Sequence, residues 1–259
     1  MASISFRHSG GLHVDKVRLQ PVKEGSLSHA EAFSRFFMER GQATKAEPLR
    51  QRIYEASKQT LGAEHEDTLE HMLELALTYW KLGRYEEGRM LEAEVVEARK
   101  RLLGDRHADT LTSMSKFAST YLDLGQLEDA RALQFQVLDA RKQMLGNRHP
   151  DTLTSMSNIT LTYWDLGQLE DARALQVQVL DARKQVLGDR HPDTLTSMHN
   201  LACTHCNQGQ YDQAQALLAQ AFSGRKHVLG ISHRDTLVSM SKLADTYLQL
   251  GLWSEADKL

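Results

Sequence analysis

Between Leu153 and Leu180 the apolar residues fall three or four apart, as one stripe of a helix does. Leu153, Met156, Ile159 and Tyr163, with Thr160 beside them, form one such set, and Leu169, Ala172, Leu175, Val179 and Leu180 form the next. The two-residue alternation of a half-buried strand is absent. Glycine divides the stripes. Gly62, Gly104, Gly146, Gly188 and Gly230 each follow a leucine at intervals of 42 residues, and Gly41, Gly83, Gly125, Gly167, Gly209 and Gly251 lie midway between them. Each 42-residue unit therefore has two legs, and the pattern predicts an antiparallel helix pair per unit. First helices are predicted over 26–40, 67–81, 109–123, 151–165, 193–207 and 235–249.

The joints carry the strongest sequence signal, of which LGDRHPDTLTSM at 187–198 is one copy. Leu-Gly suits the end of a second helix, because glycine tolerates the left-handed conformation that often closes one. Pro192 suits a first helical position, where no amide hydrogen is needed, and Asp193 either complements the helix dipole or caps the helix itself. Asp67, Asp109, Asp151 and Asp235 recur at the same place, whereas Pro192 gives way to Glu66, Ala108 or Arg234. A period of 42 is also six heptads, so a long coiled coil is the rival fold. Each glycine would cost such a helix about 1 kcal/mol, and the glycines fall where hairpins need turns. The expected fold is all-α, a right-handed superhelical solenoid of antiparallel helix pairs, each burying its apolar stripe on the next. It occupies 25–259 in about six units. The first unit is diverged, with Leu27, Ala30, Phe33 and Phe37 keeping the stripe. The last is truncated, with Trp253 and Leu259 on its apolar side, which suggests either a fragment of a longer array or an end covered by a partner chain, self-association included.

Charge changes this picture little. The net charge of −3 comes from 31 basic and 34 acidic residues that are interspersed, so neither nucleic acid nor an anionic membrane is an expected partner. No apolar run approaches the roughly 20 residues that span a bilayer, and the first residues lack a secretory apolar core. A cytoplasmic location is expected, and two cysteines do not make a disulfide framework. Residues 1–24, basic on balance with Asp15 as their first acid, read as a flexible lead-in, with a targeting segment as the alternative.

Two sets of residues suggest chemistry. His65, His107, His149, His191 and His233 recur once per unit, but helices pack about 8–10 Å apart and metal ligands lie about 2 Å from their ion, so successive copies cannot share one. Hydrogen bonding at helix ends or linker packing is the expected role. His199, Cys203 and Cys206 break the repeat and share one helical face, as three soft metal ligands or a thiol pair would. Their mid-helix position, and the habit of cysteine to serve as a small buried hydrophobe, favour a packing role instead. Phosphate-loop, nucleophile-elbow and H-E-x-x-H motifs are absent. No cofactor and no catalytic residue is expected.

The spacing Gly125-Gln-Leu127-Glu-Asp-Ala130, preceded by Tyr121, resembles the tetratricopeptide repeat, and the 42-residue unit with its LGxxHPDT linker is similar to the kinesin light chain subgroup. The resemblance covers 26–259. His205 departs from the row of Tyr79, Tyr121, Tyr163 and Tyr247, and Gly88 departs from the row of Ala130, Ala172, Ala214 and Ala256. The resemblance implies a noncatalytic scaffold that binds a peptide segment of a partner protein along a concave groove lined by the first helices. Such repeats also form the sensor portion of larger signalling proteins. On the helical wheel the face opposite the core carries three ladders: Glu74, Lys116, Asn158, Asn200, Lys242; Leu77, Ser119, Leu161, Cys203, Asp245; and Trp80, Leu122, Trp164, Cys206, Leu248. Asn158 and Asn200 match the asparagine that contacts bound peptide in the resembled family. Lys116 and Lys242 supply charge there, Ser119 and Asp245 polar contacts, and Trp80, Leu161 and Trp164 apolar ones.

Overall fold

The computed structural model describes residues 24–259, with side chains from residue 27 onward. The lead-in expected at 1–24 lies outside the described residues except for Glu24, which begins the first helix. The described residues form twelve helices: α1 (Glu24–Glu39), α2 (Ala43–Thr60), α3 (Glu66–Lys81), α4 (Tyr85–Leu103), α5 (Ala108–Asp123), α6 (Leu127–Leu145), α7 (Pro150–Asp165), α8 (Leu169–Leu187), α9 (Pro192–Asn207), α10 (Tyr211–Leu229), α11 (Arg234–Gln249) and α12 (Trp253–Ala256). Odd-numbered helices are the predicted first helices, to within two residues. The fold is all-α, a helical-repeat solenoid built of consecutive pairs. Two compact units divide between Arg84 and Tyr85, with α1–α3 in one and α4–α12 in the other. None of the helices among the described residues is long and apolar enough to cross a membrane.

The helix starts explain why one histidine recurs in every unit. His149 has extended backbone (φ −66°, ψ 140°), and its Nδ1 accepts the amide of Asp151 at 3.2 Å, so the histidine caps α7 while Pro150 takes the first helical position. His65, His107, His191 and His233 do the same for α3, α5, α9 and α11 at 3.2–3.3 Å. A ring nitrogen thus does what an asparagine oxygen does at other helix starts. The aspartate, left open by sequence, is not the cap; it stands in the first turn, facing the positive end of the dipole.

The two glycine series end helices differently. After α5, Gly125 (φ 72°) donates to the carbonyl of Leu122 and Gln126 donates to that of Tyr121, the paired bonds of a Schellman ending. Gly146 after α6 has φ 86° and ψ 168°, so it is not in the left-handed helical region expected for it. That combination is an extended turn which only glycine enters without strain, and it swings the chain out toward His149.

Packing in the second unit shows what these joints hold. Leu111, Met114 and Phe117 of α5 lie between Val96 of α4 and Val137 of α6. Leu153, Met156 and Ile159 of α7 lie between Leu138 of α6 and Val179 of α8, and α9 repeats the arrangement between Leu180 and Ala221. Each of α5, α7 and α9 is thus clamped by the second helix before it and the one after it. Full burial of a side chain such as Ile159 contributes about 1.5–3 kcal/mol. Ala130, Ala172 and Ala214 are fully buried where the short side chain lets helices approach, and buried Gly88 fills the same place in α4.

A polar lock that the apolar pattern does not reveal fastens each second helix to the next first helix. Arg99, Arg141, Arg183 and Arg225 donate to Ser113, Ser155, Ser197 and Ser239 at 2.6–2.8 Å. The last three also reach the carbonyls of Asp151, Asp193 and Asp235. In the first unit the same two positions hold Ser57 and His71, hydrogen-bonded at 2.8 Å. Two expectations at the ends fail. Phe33 is 56% exposed in α1, where Ser34 is buried instead, and Trp253 is 65% exposed because α12 is only one turn long. Leu259, as expected, joins the core of α9–α11.

Replacing His149 by alanine is expected to lower stability by about 1 kcal/mol, with asparagine restoring most of it. Urea unfolding followed by helical circular dichroism checks this, and equal stability of the alanine and asparagine variants would contradict the capping role.

Candidate peptide-binding face

The side of α5, α7, α9 and α11 turned away from the clamping helices carries the residues picked out by the helical wheel. Asn158 and Asn200 are half-buried, and among the described residues neither amide has a hydrogen-bond partner. A half-buried amide without partners retains two donors and an acceptor for something else. Leu161 and Trp164, one and two turns further along α7, are 51% and 40% exposed. Lys116 is exposed and Lys242 half-buried, and neither forms an ion pair among the described residues. Ser119 is less available, since its hydroxyl donates to the carbonyl of Ser115 within α5 at 3.3 Å.

In the first unit the ladder positions differ. Trp80 is half-buried in α3, and Glu74 is engaged by Arg50, whose guanidinium reaches both its carboxylate and its carbonyl. Arg50 also donates to Thr78 at 3.0 Å.

At α9–α11 the structure gathers residues from all three ladders around one cavity of about 370 Å³. Lys242 comes from the first, Asp245 from the second, and Cys206 and Leu248 from the third. Asn207, Thr246 and Gln249 also line it, with Tyr211 of α10, which was not singled out from sequence because the wheel of the first helices contains no contribution from the second. A periodic reading could have found Tyr211, which stands where Leu127 and Leu169 begin the preceding second helices.

The candidate soft-ligand set is not assembled for a metal. Among the described residues no three His, Cys, Asp or Glu side chains are placed to hold an ion. His199 Nε2 lies 3.6 Å from Cys203 Sγ and its Nδ1 lies 3.4 Å from Ser239 Oγ, while Cys206 turns to Thr246 Oγ1 at 3.5 Å. One helical face is shared, but α11 takes up His199 and Cys206 through separate hydroxyls, and Cys203 meets His199 within α9.

The sequence model of the tetratricopeptide repeat matches at 29–100, 70–143, 118–185, 151–227 and 204–259. The chain belongs to the tetratricopeptide repeat family. Among solved structures, the nearly identical TPR-like repeats ascribed to a kinesin light chain of Podosopora anserina are 29% identical, covering 79% of this chain and 97% of that one, with a TM-score of 0.67. BtubC (BKLC) from P. vanneervenii is 16% identical over 90% of this chain and 87% of its own, with a TM-score of 0.68. A Signal Transduction ATPase with Numerous Domains that carries a tetratricopeptide repeat sensor, from Pyrococcus horikoshii, is 14% identical with a TM-score of 0.67. The similarity covers 91% of this chain and 35% of that protein. No curated protein sequence matches.

Within this tetratricopeptide array His199 is the irregular member of its row, since Ser115, Ser157 and Ser241 hold the same position in other units. Burial holds the imidazole down to about 4, with the charges of Arg225 and Lys242 adding to the effect and Asp235 opposing it. Burial likewise pushes the Cys203 thiol up, with the nearby cations opposing, so it stays protonated and weakly nucleophilic. The half-buried imidazole reaches Ser239 of α11, with Cys203 beside it. Because the unfolded chain takes up a proton on His199 near its ordinary 6.5 and the folded chain only near 4, stability falls as pH drops through that window. Substituting the serine of the other units, His199→Ser, is expected to remove a loss of up to about 2–3 kcal/mol between pH 6.5 and 4, after discounting for partial exposure. Unfolding measured across that range checks it, and a difference between the two proteins that does not change with pH would contradict it.

Proposed function

We propose that the chain is a noncatalytic interaction scaffold that holds a peptide segment of a partner protein along the exposed face of its first helices. Tetratricopeptide proteins generally bind protein partners and generally carry no catalysis, so the class of function follows from the family. The specific face is our reading, and the observation that carries it is the pair of half-buried, unpartnered amides of Asn158 and Asn200 on consecutive first helices. Amides so placed can bond the carbonyl and N–H groups of an extended backbone, which presents the same groups whatever its sequence. Lys116, Lys242, Asp245 and Ser119 then add polar contacts to partner side chains. Leu161, Trp164 and, in the first unit, Trp80 offer apolar area, the usual source of hot-spot energy.

In this reading the work is done in the cytoplasm, without cofactor, and the array serves as the recognition portion of a signalling protein. The resemblance to a solved repeat sensor supports that context at the level of fold. The double substitution Asn158→Ala/Asn200→Ala is expected to leave helicity and melting unchanged while reducing capture of partner proteins at least tenfold, since two hydrogen bonds to a backbone are lost. Quantitative pull-down with both proteins tests this. Undiminished capture by the variant would contradict the assigned face.

A further inference from the structure

A second set of recesses lies on the sides of α5, α7 and α9 that carry the leucine–methionine pairs, away from Asn158 and Asn200. The cavities over Leu111 and Met114, over Leu153 and Met156, and over Leu195 and Met198 occupy about 300, 350 and 590 Å³. In each, a lysine from the preceding second helix and an arginine from the linker stand on the rim. The third recess departs from the other two in composition as well as size. Asp139 and Asp181 line the first two, and Ser223 takes their place in the third. Ala140 and Ala182 give way to Gly224, where a methyl group would lie 2.4 Å from Leu195 Cδ2, so Leu195 occupies that space. Loss of an acid and of a methyl group on one side of α10 thus accompanies the wider opening.

The charges balance as in the second recess, where Lys142 and Arg148 stand with Asp181 as the one acid; in the third the acid sits on the linker instead of on the second helix. Lys184 and Arg190 line the third recess with Asp189 as the one acid among its lining residues, and among the described residues neither cation is in an ion pair. Two uncommitted cations beside an apolar floor match a carboxylate adjacent to an apolar side chain, and arginine suits a carboxylate by its planar pair of donors.

We propose that the recess over Leu195 and Met198 is a second recognition site, separate from the Asn158–Asn200 face, for an acidic peptide segment of a partner protein. A carboxylate pairs with Lys184 and Arg190, and a neighbouring apolar side chain rests on Ala219 above the floor. A peptide fits the pattern better than a small free anion because the Leu–Met floor recurs over α7. An extended segment leaving the third recess meets a smaller copy in the adjoining unit.

The test uses the full chain and fluorescence anisotropy of a labelled peptide of repeating Glu-Leu-Ser, with its Gln-Leu-Ser counterpart as control. The glutamate peptide is expected to bind and the glutamine peptide to bind at least tenfold more weakly. Ser223→Asp, which restores the acid of the two preceding units, and Lys184→Gln/Arg190→Gln are each expected to weaken binding about tenfold. Asn158→Ala/Asn200→Ala should leave it unchanged, which separates this site from the proposed groove. Absence of binding at about millimolar peptide, equal binding of both peptides, or loss of binding in the asparagine variant would overturn the proposal. Displacement of the peptide by N-acetylglutamate at the same concentration would overturn the assignment to a peptide.

Discussion

A first helix with an apolar stripe wider than one partner can cover is the constraint on which this structure depends. Ile159 is fully buried only because α6 lies on one side of α7 and α8 on the other, and Phe117 is buried in the same way between α4 and α6. Among α4–α10 the core of each first helix is completed by a neighbouring pair. Stability is therefore shared between neighbours along the chain, as in other one-dimensional repeat architectures. The clamp uses one side of the helix for packing and frees the opposite side, which need only be soluble. Asn158, Leu161 and Trp164 are exposed to that freedom because nothing in the fold requires them.

Between clamped surfaces, a few polar contacts fix the register. Each Arg–Ser bond ties the end of a second helix to the first turns of the next helix, next to the histidine cap. The bond crosses the linker where a pair could otherwise slide. One buried row varies instead of repeating. Glu92, Gln134, Gln176 and Leu218 hold equivalent places in successive second helices, as Thr120, Thr162, Thr204 and Thr246 do in the first helices that follow. Thr120 donates to Glu92 and Thr162 to Gln134, while Thr204 and Thr246 return to carbonyls of their own helices. Burial holds the Glu92 carboxyl above its ordinary range, with the Thr120 hydrogen bond opposing. Units that are near-copies on the outside thus differ in how they are joined.

Helix number, helix ends and the buried stripe were legible in the sequence because they depend on local rules repeated six times. Glycine marks a turn wherever it falls, and a period of three to four marks a buried face without knowledge of what buries it. The roles that needed a partner across space were not legible. Arg183 looks like any surface arginine until Ser197 is seen opposite it, and His149 could be placed at a helix end but not identified as the cap. Phe33 and Trp253 followed the apolar pattern yet face solvent, since a stripe predicts burial only where a neighbouring helix is present to supply it. For the candidate face, the period pointed to the side of the helix. That the Asn158 and Asn200 amides lack partners, and that Tyr211 walls the cavity at α9–α11, required the packing of second helices.

Hydrogen–deuterium exchange of the full chain carrying Ile159→Ala tests the nearest-neighbour clamp most directly. The account predicts faster exchange in α6, α7 and α8, a smaller change in α5 and α9, and little change in α11. Equal acceleration in every helix would mean that the array unfolds as one globular core, and would contradict it.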